Sequence, residues 1–309
     1  MRIDSRCFHF KGDADRMPRA QAASPAEIFY SESLSGLHRC CIDCALRHDL
    51  DMSTWLHDLP IWQMTLVVFI ATGVIAWAIH LVAGWLAAGP HRRSLAVSPG
   101  LLSPVGVIFG LLVAFTAAQV WNDTERANAA VDAEAGALRS VVVLSAVLPG
   151  EAQAQLRKLV HDYIEYTITT EWPMMAQGAV TLKISPPTLN QALQFALSLP
   201  ASAAGQQIAQ RQIAVSLEQA LEARRQRILV SRSEVSGVKW VCLSFLAACL
   251  VFAIALVHCE NRLTSALAIG LFSASVATAM LMILAHDRPF TGAVAVKPEP
   301  LRQVMPEDG

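Results

Sequence analysis

Residues 101–121 read LLSPVGVIFGLLVAFTAAQVW, and residues 122–144 follow as NDTERANAAVDAEAGALRSVVVL. The first stretch holds no Asp, Glu, Lys or Arg. Each of those would cost about 2.5–3.5 kcal/mol at the centre of a membrane helix. At about 1.5 Å per residue the stretch is long enough to cross a ~30 Å hydrocarbon core. No Gly-Pro break separates it from the charged residues that follow, and the isolated Gly136 costs a helix only about 1 kcal/mol. The pattern predicts one helix that crosses a bilayer at Leu101–Val120 and runs on into water to Leu148, where Pro149-Gly150 stops it.

Working outward, three more long apolar stretches appear at Ile61–Ala88, Val238–Val257 and Thr264–Leu284, with Lys239, at the very start of the middle one, the one charged residue in them. None shows the polar face that a soluble helix of this length carries. The spans therefore pair two and two around a polar middle. Trp62 and Trp85 bracket the first at about 35 Å, close to the separation of two membrane interfaces. Gly89-Pro90 and Ser98-Pro99-Gly100 predict a short turn that brings the second span back antiparallel.

The middle reads as helices. Leu156, Leu159, Val160, Tyr163 and Thr167 make a helical stripe over Glu151–Glu171, with Pro173 expected to close it. Ser185-Pro186-Pro187 opens a short helix that Pro200 ends. A last helix starts near Ser202. Its Ile213, Leu217, Leu221 and Ile228 face inward while Glu218, Glu222 and Arg225 face away, and it is expected to run unbroken into the third span. No period-two alternation occurs. The fold class is an all-α membrane protein, four transmembrane helices in two pairs flanking a cytosolic helical domain. The expected divisions are 1–51 as a disordered extension or an over-called start before Met52, 52–121, 122–237, 238–290, and a tail 291–309.

Composition agrees. Of the 309 residues 54% are hydrophobic and 16% charged, below the ~25% charged of a soluble domain. A net charge of −1 gives no sign of a nucleic-acid partner. Cys242, Cys249 and Cys259 lie in or beside the third span, where a free Cys behaves as a small hydrophobe. Cys7, Cys40, Cys41 and Cys44, near His38 and His48, do not make a four-ligand zinc pattern, so neither metal nor cofactor is expected. Arg126, Arg224, Arg225, Arg227, Arg232 and Lys239 flank the middle region, while Arg262 is offset by Glu260. Arg92 and Arg93 argue the other way. The balance of the positive-inside rule puts the middle region and both termini in the cytoplasm of a multi-pass cell-membrane protein.

Enzyme signatures are missing: no H-E-x-x-H, Walker loop, G-x-S-x-G or G-x-G-x-x-G occurs. His161 and Asp162 are neighbours on a helix and so diverge, as a solvated face would. His80 lies inside the first span, either a functional ionisable group or a neutral interfacial histidine a turn from Trp85. Gly106 and Gly110 form a G-x-x-x-G helix-packing pair. Val107, Leu111 and Phe115 share one stripe, either a lipid or bundle contact or the wall of a hydrophobic pore constriction. Glu134 sits among small residues that imply close packing, where a carboxylate needs a partner. The apolar run ends at AHDRPFTG, residues 285–292: Asp287 and Arg288 stop it, Pro289 breaks the helix, and Gly292 permits a turn.

Several stretches together resemble the bestrophin-like family of bacterial membrane proteins: GLLVAFTAAQVWND (110–123), AVDAEAGALRSV (130–141), Leu148-Pro149, Glu171-Trp172-Pro173, and DRPFTGAVAVKPEPL (287–301). The resemblance covers about Leu59–Leu301, and Glu134, Glu171, Trp172, Pro173, Asp287, Arg288, Pro289, Phe290 and Gly292 carry it. Two features depart from it: only Trp121 stands where bestrophins have a double aromatic, and nothing before Trp55 matches. In bestrophins the second spans of five subunits surround an anion pore with a hydrophobic neck. The resemblance thus implies a ring oligomer in the lipid bilayer, inorganic anions as the permeant species, and Val107, Leu111 and Phe115 as the neck. A non-conducting membrane-anchored sensor or scaffold remains the competing reading.

Overall fold

The computed structural model describes residues 59–87, 100, 102–182, 187–200, 203–258, 261–292 and 294–306. The chain divides into two units after Thr54, and every described residue belongs to the second, Trp55–Gly309. The N-terminal cysteines, Arg92, Arg93, Cys259, Glu260 and most of the connector after the first span lie outside the described residues.

All regular elements among the described residues are helices. α1 (Ile61–Ala87) begins just after Pro60, whose carbonyl accepts from the Gln63 and Met64 N–H groups. Its Thr65 and Thr72 hydroxyls donate back to the Ile61 and Val68 carbonyls, each at 2.7 Å. Polar atoms are thereby satisfied inside an apolar helix. α2 (Leu102–Ser145) is a single helix of 44 residues, about 66 Å long. It carries the second span and the charged stretch without a break. The pair α7 (Gly237–Val257) and α8 (Arg262–His286) completes four helices long and apolar enough to cross a membrane. Asn261 caps α8 by accepting the Leu263 N–H at 3.0 Å.

Between the pairs lie α3 (Gly150–Tyr166), a wide π-turn (Thr167–Glu171), α4 (Trp172–Ala176), α5 (Pro187–Ser198) and α6 (Ala204–Val230); α9 (Glu299–Val304) follows α8. The lower half of α2 runs along α6, and α5 closes over α3 and α6. Their shared core holds Leu138, Leu156, Tyr163, Leu189, Ile213, Leu217 and, from α9, Leu301. A second core, Phe109, Leu243, Leu250, Val276 and Ile283, joins α2 to α7 and α8. A third joins Ala76 and Ala83 of α1 to Val251 and Ile269.

Two expectations are corrected. Pro173 does not end the helical path. The π-turn delivers the chain into α4, where Pro173 occupies the first turn and its missing N–H is not needed. The path ends instead at Gly178, whose φ of +67° suits glycine. Nor does α6 flow into the third span. It stops at Val230, and the Ser231 and Ser233 hydroxyls turn back to the Ile228 and Val230 carbonyls at 2.8 and 2.7 Å. The Val235 N–H donates to the Asp287 carboxylate at 2.6 Å instead of to a helical carbonyl. α7 begins afresh after Ser236.

Candidate functional site

Four charged side chains meet in the middle of the polar bundle. Glu134 comes from α2, Glu171 from the end of the π-turn, and Arg224 and Arg227 from α6. All are buried, Glu134 and Arg227 completely. Arg227 donates through Nε to Glu134 Oε2 at 2.7 Å and through Nη2 to Glu171 Oε2 at 2.7 Å. Arg224 donates from Nε and Nη2 to Glu171 Oε1 at 3.0 and 2.5 Å. The Tyr163 hydroxyl donates to Glu134 Oε1. The remaining Arg227 nitrogen, Nη1, meets the Met175 sulfur at 3.2 Å.

Local geometry explains the convergence. On an ideal α-helix, Glu171 would lie about 80° round from Tyr163. The π-turn absorbs one extra residue, as the Trp172 N–H bonding back to the Thr167 carbonyl shows. Glu171 then stacks about two turns beyond Tyr163 and faces the same arginines. Arg224 and Arg227 lie one turn apart on the buried side of α6, Arg224 in line with Leu217 and Ile228.

Two positive and two negative charges leave the cluster neutral, as burial demands. Desolvation pushes the Arg227 guanidinium down, but the attraction of Glu134, with Glu171 adding to it, outweighs this and holds it above its ordinary value. Burial, with the Glu134 charge beside it, pushes the Tyr163 phenol well above its usual range. Both carboxylates are engaged by guanidinium groups, an arrangement suited to clamping three elements rather than to proton transfer. Among the described residues no three His, Cys, Asp or Glu side chains converge as a metal site would require.

The residues after α8 attach to the same cluster. Trp172 covers the Arg227 guanidinium at 5.2 Å and meets the Phe290 ring edge-on at 5.5 Å. Asp287 holds the Val235 N–H, and Arg288 pairs with Glu234 at 3.1 Å. The Pro289 carbonyl accepts the Val296 N–H at 2.8 Å, and the Thr291 hydroxyl donates to the Ala176 carbonyl at 2.8 Å. Gly292 takes a φ of +87°, a conformation that disfavours any side chain. His161, expected on a solvated face, donates from Nδ1 to the Pro306 carbonyl at 3.1 Å.

The other expected site lies on the opposite face of α2. Val107, Leu111 and Phe115 are 58%, 52% and 70% exposed, left largely uncovered by the described elements. Gly106 and Gly110 lie on the same span, and a Cβ on either would meet no atom within 4 Å. His80 stands 3.3 Å from the Ser265 hydroxyl, joining α1 to α8. Arg224 and Arg227, read from sequence only as membrane-flanking charges, are the residues sequence reasoning missed. Part of their signal was present: Arg224 continues the Leu217–Ile228 stripe, and Arg227 follows it by three residues.

Residues 66–301 match the Bestrophin-like domain. The chain belongs to the bestrophin-like family. The solved structures it is similar to include a bacterial bestrophin homologue from Klebsiella pneumoniae, at 13% identity and a TM-score of 0.60 over 78% of this chain and 95% of that one. A single-residue variant of that homologue gives 14% identity and a TM-score of 0.63, over 78% and 95%. Another gives 12% and 0.59, over 78% and 96%. At these identities the likeness establishes the bestrophin fold. No curated protein matches in sequence.

Proposed function

We propose that this bestrophin-like chain is one subunit of a homo-oligomeric ion channel in the cytoplasmic membrane, not an enzyme. The second spans of a ring of copies line its pore. Val107, Leu111 and Phe115 form a hydrophobic neck, and inorganic anions are the permeant species. The polar bundle and both termini lie on the cytoplasmic side, following the Lys and Arg balance. Gly106 and Gly110 allow close approach to a neighbouring helix.

One observation carries the reading. α2 is clamped on one face by the Glu134–Arg227 cluster and bare on the other, from the membrane segment to the far end of the bundle. A neck of Val, Leu and Phe controls passage by excluding water rather than by charge. The test is flux from liposomes holding the purified chain. Ion flow is expected, and Leu111→Ala or Phe115→Ala should change conductance severalfold. Vesicles that stay ion-tight across several salts would overturn the channel.

A second reading, a non-conducting sensor or scaffold, draws on one feature. An open cavity of about 710 Å³ lies at the end of the bundle far from the spans, lined by Leu148, Pro149, Phe195, Leu199 and Gln210 among others. Its apolar walls suit a partner's side chains. Ion-tight vesicles together with a soluble protein that binds the full chain would favour this reading.

A further inference from the structure

The bare face of α2 is not symmetric about its midline. With the line through Leu111 as zero and about 100° per residue, Val107 lies about 40° to one side and Phe115 about 40° to the other. Ala118, Asn122 and Ala129 stay within about 20° of that line. The two flanks differ in charge and in size. Glu125 stands about 40° round on the Val107 side, and Arg126 about 60° round on the Phe115 side. Within the span, Ala114 stands about 60° round on the first flank, opposite Phe115 on the second. All four residues are exposed.

Glu125 has no ion-pair partner in its own chain among the described residues. Among the described residues Arg126 pairs with Asp123 alone, at 3.8 Å, with the arginine side chain 64% exposed. Such a pair is worth less than about 1 kcal/mol. Phe115, at 70% exposed, is among the barest large apolar side chains of the molecule.

Cyclic symmetry gives these facts a common meaning. In a closed ring the copies are parallel and at one height, and each meets its neighbours through two different flanks. Glu125 and Arg126 are one residue apart along the axis, about 1.5 Å. Arg126 of one copy therefore comes level with Glu125 of the next. By the same step, the large Phe115 comes level with the small Ala114 of the next. Charge answers charge and bulk answers a gap, with the same handedness in both layers. We propose that copies of this chain join through the two flanks of α2, Arg126 against Glu125 and Phe115 against Ala114 of the next subunit. The inference rests on the ring reading above and specifies the contact that closes it.

The test is the oligomer mass of the full chain in detergent and in nanodiscs, for wild type, Glu125→Arg, Arg126→Glu and the exchanged double variant E125R/R126E. Each single reversal sets like charges against each other at every interface. It should lower the ring population at fixed concentration on the order of tenfold. The double variant restores opposite charges and should return to within about twofold of wild type. Should the reversed singles not fold, Glu125→Gln serves instead: its ring should lose the salt sensitivity that the wild-type ring shows. Rings that persist unchanged in both singles, or a double variant no better than either, overturn this contact and leave the channel reading standing. A wild-type chain that is monomeric in both media removes the ring itself.

Discussion

The polar bundle and the membrane half of this molecule solve opposite problems. In the bundle, Leu138, Leu156, Tyr163, Leu189 and Leu217 lose essentially all contact with solvent, and even charged groups are driven inside. In the membrane half, no more than a third of any span is buried, and Leu271, Val241 and Phe245 stay largely uncovered. Lipid completes what the chain leaves open there, because a bilayer removes the hydrophobic drive for helices to cover one another. The bundle must specify its packing with matched side chains; the spans need chiefly length and the absence of charge.

The comparison breaks most easily at its buried charges. Arg227→Met leaves the buried Glu134 carboxylate with no guanidinium partner, while Glu171 keeps Arg224. Removal of one partner of a buried pair costs about 3–5 kcal/mol. Thermal unfolding in detergent should show a large drop or loss of the folded bundle.

Tyr163→Phe is next, removing a hydrogen bond to a charged acceptor worth about 1.5–3 kcal/mol. Tyr163 also carries a pH signature. Its folded value is raised, so its contribution is complete below the unfolded value near pH 10 and is lost as pH climbs through the folded one. Of three tyrosines, this one should add nothing to the absorbance rise of the folded protein near pH 10. A Y163F variant that lowers that rise by a third would show the phenol to be exposed.

Asp287→Asn keeps an oxygen for the Val235 N–H but removes its charge. The loss should be about 1 kcal/mol, read as a lowered midpoint of unfolding. Leu271→Ala, on the lipid-facing side of α8, should cost about 0.5 kcal/mol or less in the same assay. If it cost as much as Tyr163→Phe, the contrast between the two halves would fail.

The sequence displayed the membrane half almost fully. Long apolar runs mark the first, third and fourth membrane helices to within a few residues and the start of α2 to within one, and the uninterrupted polar extension of α2 was legible because no Gly-Pro break interrupts it after Asn122. Glu134 stood out through its small neighbours. Its partner did not, because Arg227 lies 93 positions away and periodicity reports faces, not distant pairings. Arg224 and Arg227 were masked by a second meaning, since basic residues beside a span also set orientation. The break after Val230 was hidden for a similar reason: it is held by Asp287, 52 positions downstream of Val235. The π-turn has no compositional mark in Thr167–Glu171, since its cause is the demand that Glu171 reach the arginines.

That turn also bears on how the chain tolerates changes in length. A helix that takes in one residue usually rotates everything beyond it. Here the surplus is held in a single wide loop of backbone, with Thr169 and Thr170 on the outside. A descendant lacking one of those threonines would close into ordinary α-helix and still deliver Glu171 to Arg224 and Arg227. The gene can thus lose a codon at this point without disturbing the clamp, a freedom that the facing stretch of α2 does not share.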